Sequence, residues 1–161
     1  MNACAERAGQ MAYADTMTPV DAVAVFNSNA DTIEMLRVAL QQAGLTVVAA
    51  FTQDLRDGTI DVRSFMEKHD PAVVIYDVAP PYDANWALFE RLRVHPSMAN
   101  RHFVLTSTDA TAVHDLAHGT ANVYQIAEKP FDLDVIVTAV SDAASARPTV
   151  VSGPRPDRRK R

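Results

Sequence analysis

The sequence predicts an α/β domain: a doubly wound, five-stranded parallel sheet in the order 2-1-3-4-5, covered by helices so that the whole has three layers. Three observations lead there. Apolar runs rich in β-branched residues alternate five times with segments of helical spacing, the pattern of successive β-then-α units. The run Ala72-Val73-Val74-Ile75-Tyr76-Asp77 is apolar up to its last residue, as a strand buried on both faces requires. Gly44, Pro71 and Gly119 fall between these segments and punctuate them.

Taken in order, residues 1–19 show no sustained periodicity and read as a flexible N-terminal extension. Residues 21–26 form the first strand. Ile33, Leu36 and Leu40 recur at helical spacing, and Gly44 stands at the stop position of that helix. Residues 45–51 are the second strand. Val62, Phe65 and His69 mark one face of the next helix, which Pro71 ends, and residues 72–77 are the third strand. Residues 84–94 are helical, with Leu88 and Leu92 on one face. Residues 102–106 are the fourth strand, 110–118 a short helix ended by Gly119, and 123–127 the fifth strand. Leu133, Ile136 and Val140 stripe a last helix to about residue 146. The domain therefore spans 20–146. Residues 147–161 carry Pro148, Gly153, Pro154 and Pro156 and read as a disordered basic tail.

Composition narrows the function classes. The chain has 161 residues, 48% apolar and 22% charged, ordinary for a soluble globular domain. One cysteine, Cys4, excludes an internal disulfide and a cysteine-based metal framework. No leader-like start and no membrane-length apolar run is present, so a cytoplasmic protein is expected. From Pro154 onward, five basic residues stand against Asp157, a net of +4; with a chain total of −5, the rest carries −9. An acidic body disfavours nucleic-acid binding by the domain.

A carboxylate at the carboxyl end of a central strand lies where open α/β sheets gather ligands and chemistry. The 2-1-3-4-5 order brings four strand ends to that edge: Asn27 and Ser28 after the first strand, Asp77 on the third, Thr106 and Ser107 on the fourth, and Lys129-Pro130 after the fifth. Val74-Ile75-Tyr76-Asp77 with Pro81 four residues on, Val104-Leu105-Thr106-Ser107, and Glu128-Lys129-Pro130-Phe131 make the chain resemble a response-regulator receiver domain of two-component signalling, over roughly residues 20–146.

The resemblance implies a flavodoxin-like fold and a phosphorelay role. Asp77 would be the phosphoacceptor, Thr106 a hydroxyl that follows the phosphoryl oxygen, and Lys129 the neutralising cation. A carboxylate can serve as a nucleophile toward phosphorus, and positive charge on the non-bridging oxygens assists the transfer. The partners implied are a histidine kinase or phosphotransfer protein and a downstream protein, with a homodimer through the last strand and helix left open. The protein would accept a phosphoryl group without being an enzyme itself.

Two positions depart from the family pattern. The acidic pair after the first strand, which helps to hold Mg²⁺, is replaced by Asn27 and Ser28. Mg²⁺ favours carboxylate oxygens, so a weak site made of Asp77, the Asn27 amide oxygen and the Ala79 carbonyl is what remains, and Mg²⁺ is expected to bind weakly or not at all. Ile126 stands where the switch aromatic usually lies, three residues before the lysine, and Tyr124 is two residues earlier. These departures support the alternative of a phosphorylation-independent pseudo-receiver serving as a protein–protein interaction module. A flavodoxin-like enzyme or cofactor binder is disfavoured, because the loop Asn27-Ser28-Asn29-Ala30 contains no glycine to cradle a phosphate.

Structural roles are expected for other conspicuous residues. Ser28 through Asp31 has the form of a capping box for the first helix. His114 and His118, four apart, read as surface histidines, and Trp86 and Phe89 as partly buried core aromatics.

Overall fold

Each strand is short, apolar and flanked by a helix, and the backbone follows that pattern. The computed structural model describes residues 21–120 and 123–146; the extension at 1–19 and the tail at 147–161 expected from the sequence lie outside the described residues. The strands are β1 (Ala22–Asn27), β2 (Thr46–Phe51), β3 (Val73–Val78), β4 (His102–Ser107) and β5 (Val123–Glu128). The helices are α1 (Ala30–Gln42), α2 (Thr52–Asp57), α3 (Val62–His69), α4 (Tyr82–Arg93), α5 (Ala110–Ala117) and α6 (Leu133–Ser145). The strands pair in parallel in the order 2-1-3-4-5.

Strand alternation divides the apolar residues between two layers. Val23, Val25, Val73, Ile75, Val104 and Ala127 face α1 and α6, where they meet Leu36, Leu40, Ile136 and Val140. Ala24, Phe26, Val74, Tyr76, Phe103 and Leu105 face α2 to α5. Successive side chains of a strand point to opposite faces, so a continuous apolar run serves both layers. The second layer is built around Phe89, which is fully buried. Its ring lies 5.2 Å from Tyr76, 5.0 Å from Trp86 and 5.1 Å from Phe103, the last edge-on. Trp86 and Phe89 are thus core residues of this layer.

Two short elements escape the sequence pattern. Helix α2 has only six residues, and one apolar side chain, Leu55, goes into the core; a turn and a half cannot display a 3.6-residue period. Pro96–Met98 form a single 3₁₀ turn that buries Met98. The helix stops are more specific than expected. Gly44, just beyond α1, has φ +86°, a conformation that glycine adopts without a Cβ clash. Helix α3 ends on Asp70 at φ 43°, one residue before Pro71, with the Asp70 carboxylate 2.6 Å from Arg101. At the start of α1 the structure corrects the capping box. Asn29 is the N-cap, and its side chain accepts from the Thr32 amide at 3.0 Å, while Ser28 is exposed one residue earlier.

Among the described residues, no helix is long and apolar enough to cross a membrane. Removing the central ring of the aromatic layer by Phe89→Ala is expected to cost about 3–5 kcal/mol, read as a lowered midpoint in urea unfolding; a cost under about 1 kcal/mol would show that Tyr76, Trp86 and Phe103 repack without it.

Candidate functional site

The sheet order sets the site. Asp77 pairs with Thr106, and Thr106 with Ala127. On the other side Phe26 pairs with Tyr76, and one further step in that register sets Asn27 beside Asp77. Paired residues on parallel strands project to the same face. Asn27, Asp77 and Thr106 therefore form a polar row at the carboxyl edge, immediately above the apolar layer shared with α1 and α6. All three are buried: Asn27 is 1% exposed, Asp77 5% and Thr106 0%.

The contacts of Asp77 converge on one oxygen. Thr106 Oγ1 donates to Asp77 Oδ1 at 2.7 Å, and Lys129 Nζ lies 2.7 Å from the same Oδ1. Oδ2 lies outside both contacts. The lysine reaches in from the loop after β5, and its backbone amide is anchored to the Ser107 carbonyl at 2.7 Å. Three of the sequence-predicted residues, Asp77, Thr106 and Lys129, are thereby brought into direct contact. A short charge-assisted pair of this kind holds its geometry tightly. The Asp77 side chain is 4% exposed and that of Lys129 25%, so the lysine stem fills the mouth while its ammonium reaches inward.

Neighbouring residues fix the loops around this group. Ser107 Oγ donates to the Val78 carbonyl at 2.9 Å and accepts from the Asp109 amide at 3.1 Å, tying the end of β3 to the loop before α5. The hydroxyls of Tyr82 and Thr108 lie 2.8 Å apart and bridge the same two loops further out. Asn85, in the first turn of α4, donates from Nδ2 to the Ala79 carbonyl at 2.6 Å. It accepts on Oδ1 from Arg56 Nη2 at 2.6 Å, and its own carbonyl accepts from the Tyr76 hydroxyl at 3.1 Å. Burial pushes the Tyr76 phenol well above its ordinary pKa range, so it stays a neutral donor. The sequence did not single out Asn85, Arg56, Tyr82 or Thr108, because each bonds across loops that no periodicity relates.

Of the oxygens expected to hold Mg²⁺, all but Asp77 Oδ2 already take a hydrogen bond or ion pair. Asn27 Oδ1 accepts from the Asn29 amide at 2.8 Å, the Ala79 carbonyl takes the Asn85 amide, and Asp77 Oδ1 takes Thr106 and Lys129. A single carboxylate, with Oδ2 outside these contacts, and two neutral oxygens that already accept a hydrogen bond make a poor set for Mg²⁺, a hard cation that favours carboxylate oxygens. Asp31 does not complete the set: it is exposed on α1 and borders a groove with Met35, Val38 and Leu133. Among the described residues, no group of three or more His, Cys, Asp or Glu could hold a metal ion, and His114 and His118 are exposed. Ile126, at the expected switch position, is partly buried against the α2–α5 layer. Tyr124 is 44% exposed and stands edge-on to His102 at 6.2 Å.

The fold of this chain is that of response-regulator receiver domains. A response regulator from Thermotoga maritima superposes with a TM-score of 0.62 at 20% identity, over 79% of this chain and 99% of that one. A chemotaxis protein of Vibrio cholerae gives 0.62 at 17% identity, over 77% and 98%. A sensor protein from Polaromonas sp. JS666 gives 0.66 at 16% identity, over 81% and 100%. No family model matches the sequence, and no curated protein matches it.

The two halves of the central ion pair are unequal in burial, and their removal should be unequal in effect. Lys129→Ala leaves the buried Asp77 carboxylate without its cation and is expected to cost on the order of 2–3 kcal/mol. Asp77→Asn leaves a lysine that can turn to solvent and should cost clearly less. Urea unfolding of the two variants checks this, and equal losses would contradict it.

Proposed function

We propose that this chain is a receiver-type signalling domain in which Asp77 accepts a phosphoryl group from a histidine kinase or phosphotransfer protein and the modified domain then engages a downstream protein. The observation that carries the reading is the convergence of Lys129 Nζ and Thr106 Oγ1, each at 2.7 Å, on Asp77 Oδ1. Lys129 orients the carboxylate and supplies positive charge for incoming phosphoryl oxygens. Thr106 Oγ1 is placed to transfer its hydrogen bond from the carboxylate to one of those oxygens. Because Thr106 is followed by Ser107, which ties β3 to the loop before α5, movement of Thr106 would be felt on the α5–β5 side. A local charge event would thus acquire a distant readout. The protein accepts the group and catalyses no turnover of its own.

A second reading, a pseudo-receiver that binds partners without phosphorylation, is favoured by Asn27 and Ser28 in place of an acidic pair and by the engagement of the Ala79 carbonyl by Asn85. Intact mass after incubation with acetyl phosphate separates the two. A gain of one phosphoryl group in the wild type, absent in Asp77→Asn, is expected. No gain with the small donor or with a phosphorylated kinase domain would leave the interaction module as the function.

A further inference from the structure

Among the described residues, Asn27 Nδ2 is a buried side-chain donor with no hydrogen-bond partner, on a residue only 1% exposed. Its orientation is fixed, because Oδ1 is committed to the Asn29 amide at 2.8 Å. The second such nitrogen, Arg101 Nε, belongs to a side chain already held by Asp70 and by the Pro71 carbonyl. A buried donor without an acceptor is costly and asks for an explanation. The one offered by position is chemical. Asn27 follows Phe26, which pairs with Tyr76, so it lies one step along the register toward Asp77, where a divalent cation would require a lone pair. With Oδ1 given to the Asn29 amide, the group left without a partner is N–H, which a cation cannot satisfy and an anionic oxygen can.

We propose that the Asp77 site is an oxyanion site that works without a divalent cation. Asn27 Nδ2, Thr106 Oγ1 and Lys129 Nζ are three donors for the three non-bridging oxygens of a phosphoryl group carried on Asp77. The inference rests on Asp77 being the phosphoacceptor and adds how its product is held. The Ala79 carbonyl, which would have faced a metal, accepts from Asn85 at 2.6 Å, and Asn85 in turn accepts from Arg56 at 2.6 Å. This places a second cation two hydrogen bonds from the loop that follows Asp77. In the transfer from acetyl phosphate, an Asp77 carboxylate oxygen forms the O–P bond as the bond from phosphorus to the acyl oxygen breaks. The acyl group departs as a carboxylate with that electron pair, and no proton moves. Buried charge-assisted hydrogen bonds, rather than metal coordination, stabilise the charge on the phosphoryl oxygens.

The test is the rate of mass gain with acetyl phosphate in EDTA and in Mg²⁺, for the wild type, Asn27→Ala and Asn27→Asp. Expected are equal rates for the wild type in the two buffers and a loss of about tenfold or more for Asn27→Ala in EDTA. Asn27→Asp should be nearly inert in EDTA, where its carboxylate repels the donor, and should recover in Mg²⁺; that recovery also shows that the variant is folded. Gain by the wild type only in Mg²⁺ overturns the metal-free site and leaves Asp77 as acceptor. Asn27→Ala reacting as fast as the wild type in EDTA overturns the role of Asn27. No gain by the wild type in either buffer overturns the acceptor reading, and the metal-free site with it.

Discussion

The buried carboxylate of Asp77 is the constraint around which the carboxyl edge of this sheet is arranged. A charge that is 4% exposed must be compensated or neutralised. Compensation here comes from the β4–β5 flank: from β4 through Thr106 and from the loop after β5 through Lys129. Both contacts depend on β4 lying beside β3 and β5 beside β4, as they do in the order 2-1-3-4-5. The lysine must then cross over β4, and its backbone is pinned there by the Ser107 carbonyl. Fold and site are coupled through this pair. The topology brings the groups together, and the cost of leaving Asp77 alone disfavours other arrangements of the edge.

The same edge departs from the receiver pattern in a consistent direction. Asn27 offers a donor where a carboxylate would offer lone pairs. Asn85 donates to the Ala79 carbonyl, and Arg56 secures Asn85. Each of these contacts puts a donor or a fixed hydrogen bond on an oxygen near Asp77. The readout side is altered as well: Ile126 is packed against the α2–α5 layer at the position where an aromatic side chain would swing. Beside it, Ser107 and the Tyr82–Thr108 pair are what join the end of β3 to the loop before α5.

Much of this was legible in the sequence. The five strands and the longer helices were visible because each buries a face large enough to impose a period, as with Leu36 and Leu40 on α1 or the run from Val73 to Val78. Asp77 and Thr106 were visible because each ends an apolar run that fixes its strand end, and Lys129 because Glu128-Lys129-Pro130-Phe131 carries the receiver resemblance. Helix α2 and the 3₁₀ turn at Pro96–Met98 were not, being too short to show periodicity. The capping of α1 was displaced by one residue, since Ser28 and Asn29 are both good caps and only the backbone chooses between them. Asn85 and Arg56 were invisible for a further reason: their bond spans 29 residues between two helices, and nothing local to either foretells it.

The central claim is that a phosphoryl group on Asp77 redirects the Thr106 and Lys129 contacts and that the change is passed toward α5 and β5. The most direct measurement is the backbone amide NMR spectrum before and after treatment with acetyl phosphate, alongside Thr106→Val. The account expects resonances of Thr106 through Asp109, Lys129 and β5 to move together in the wild type, and those of α5 and β5 to stay in place in Thr106→Val. A spectrum in which only the immediate neighbours of Asp77 shift, or in which Thr106→Val responds as the wild type does, would contradict it.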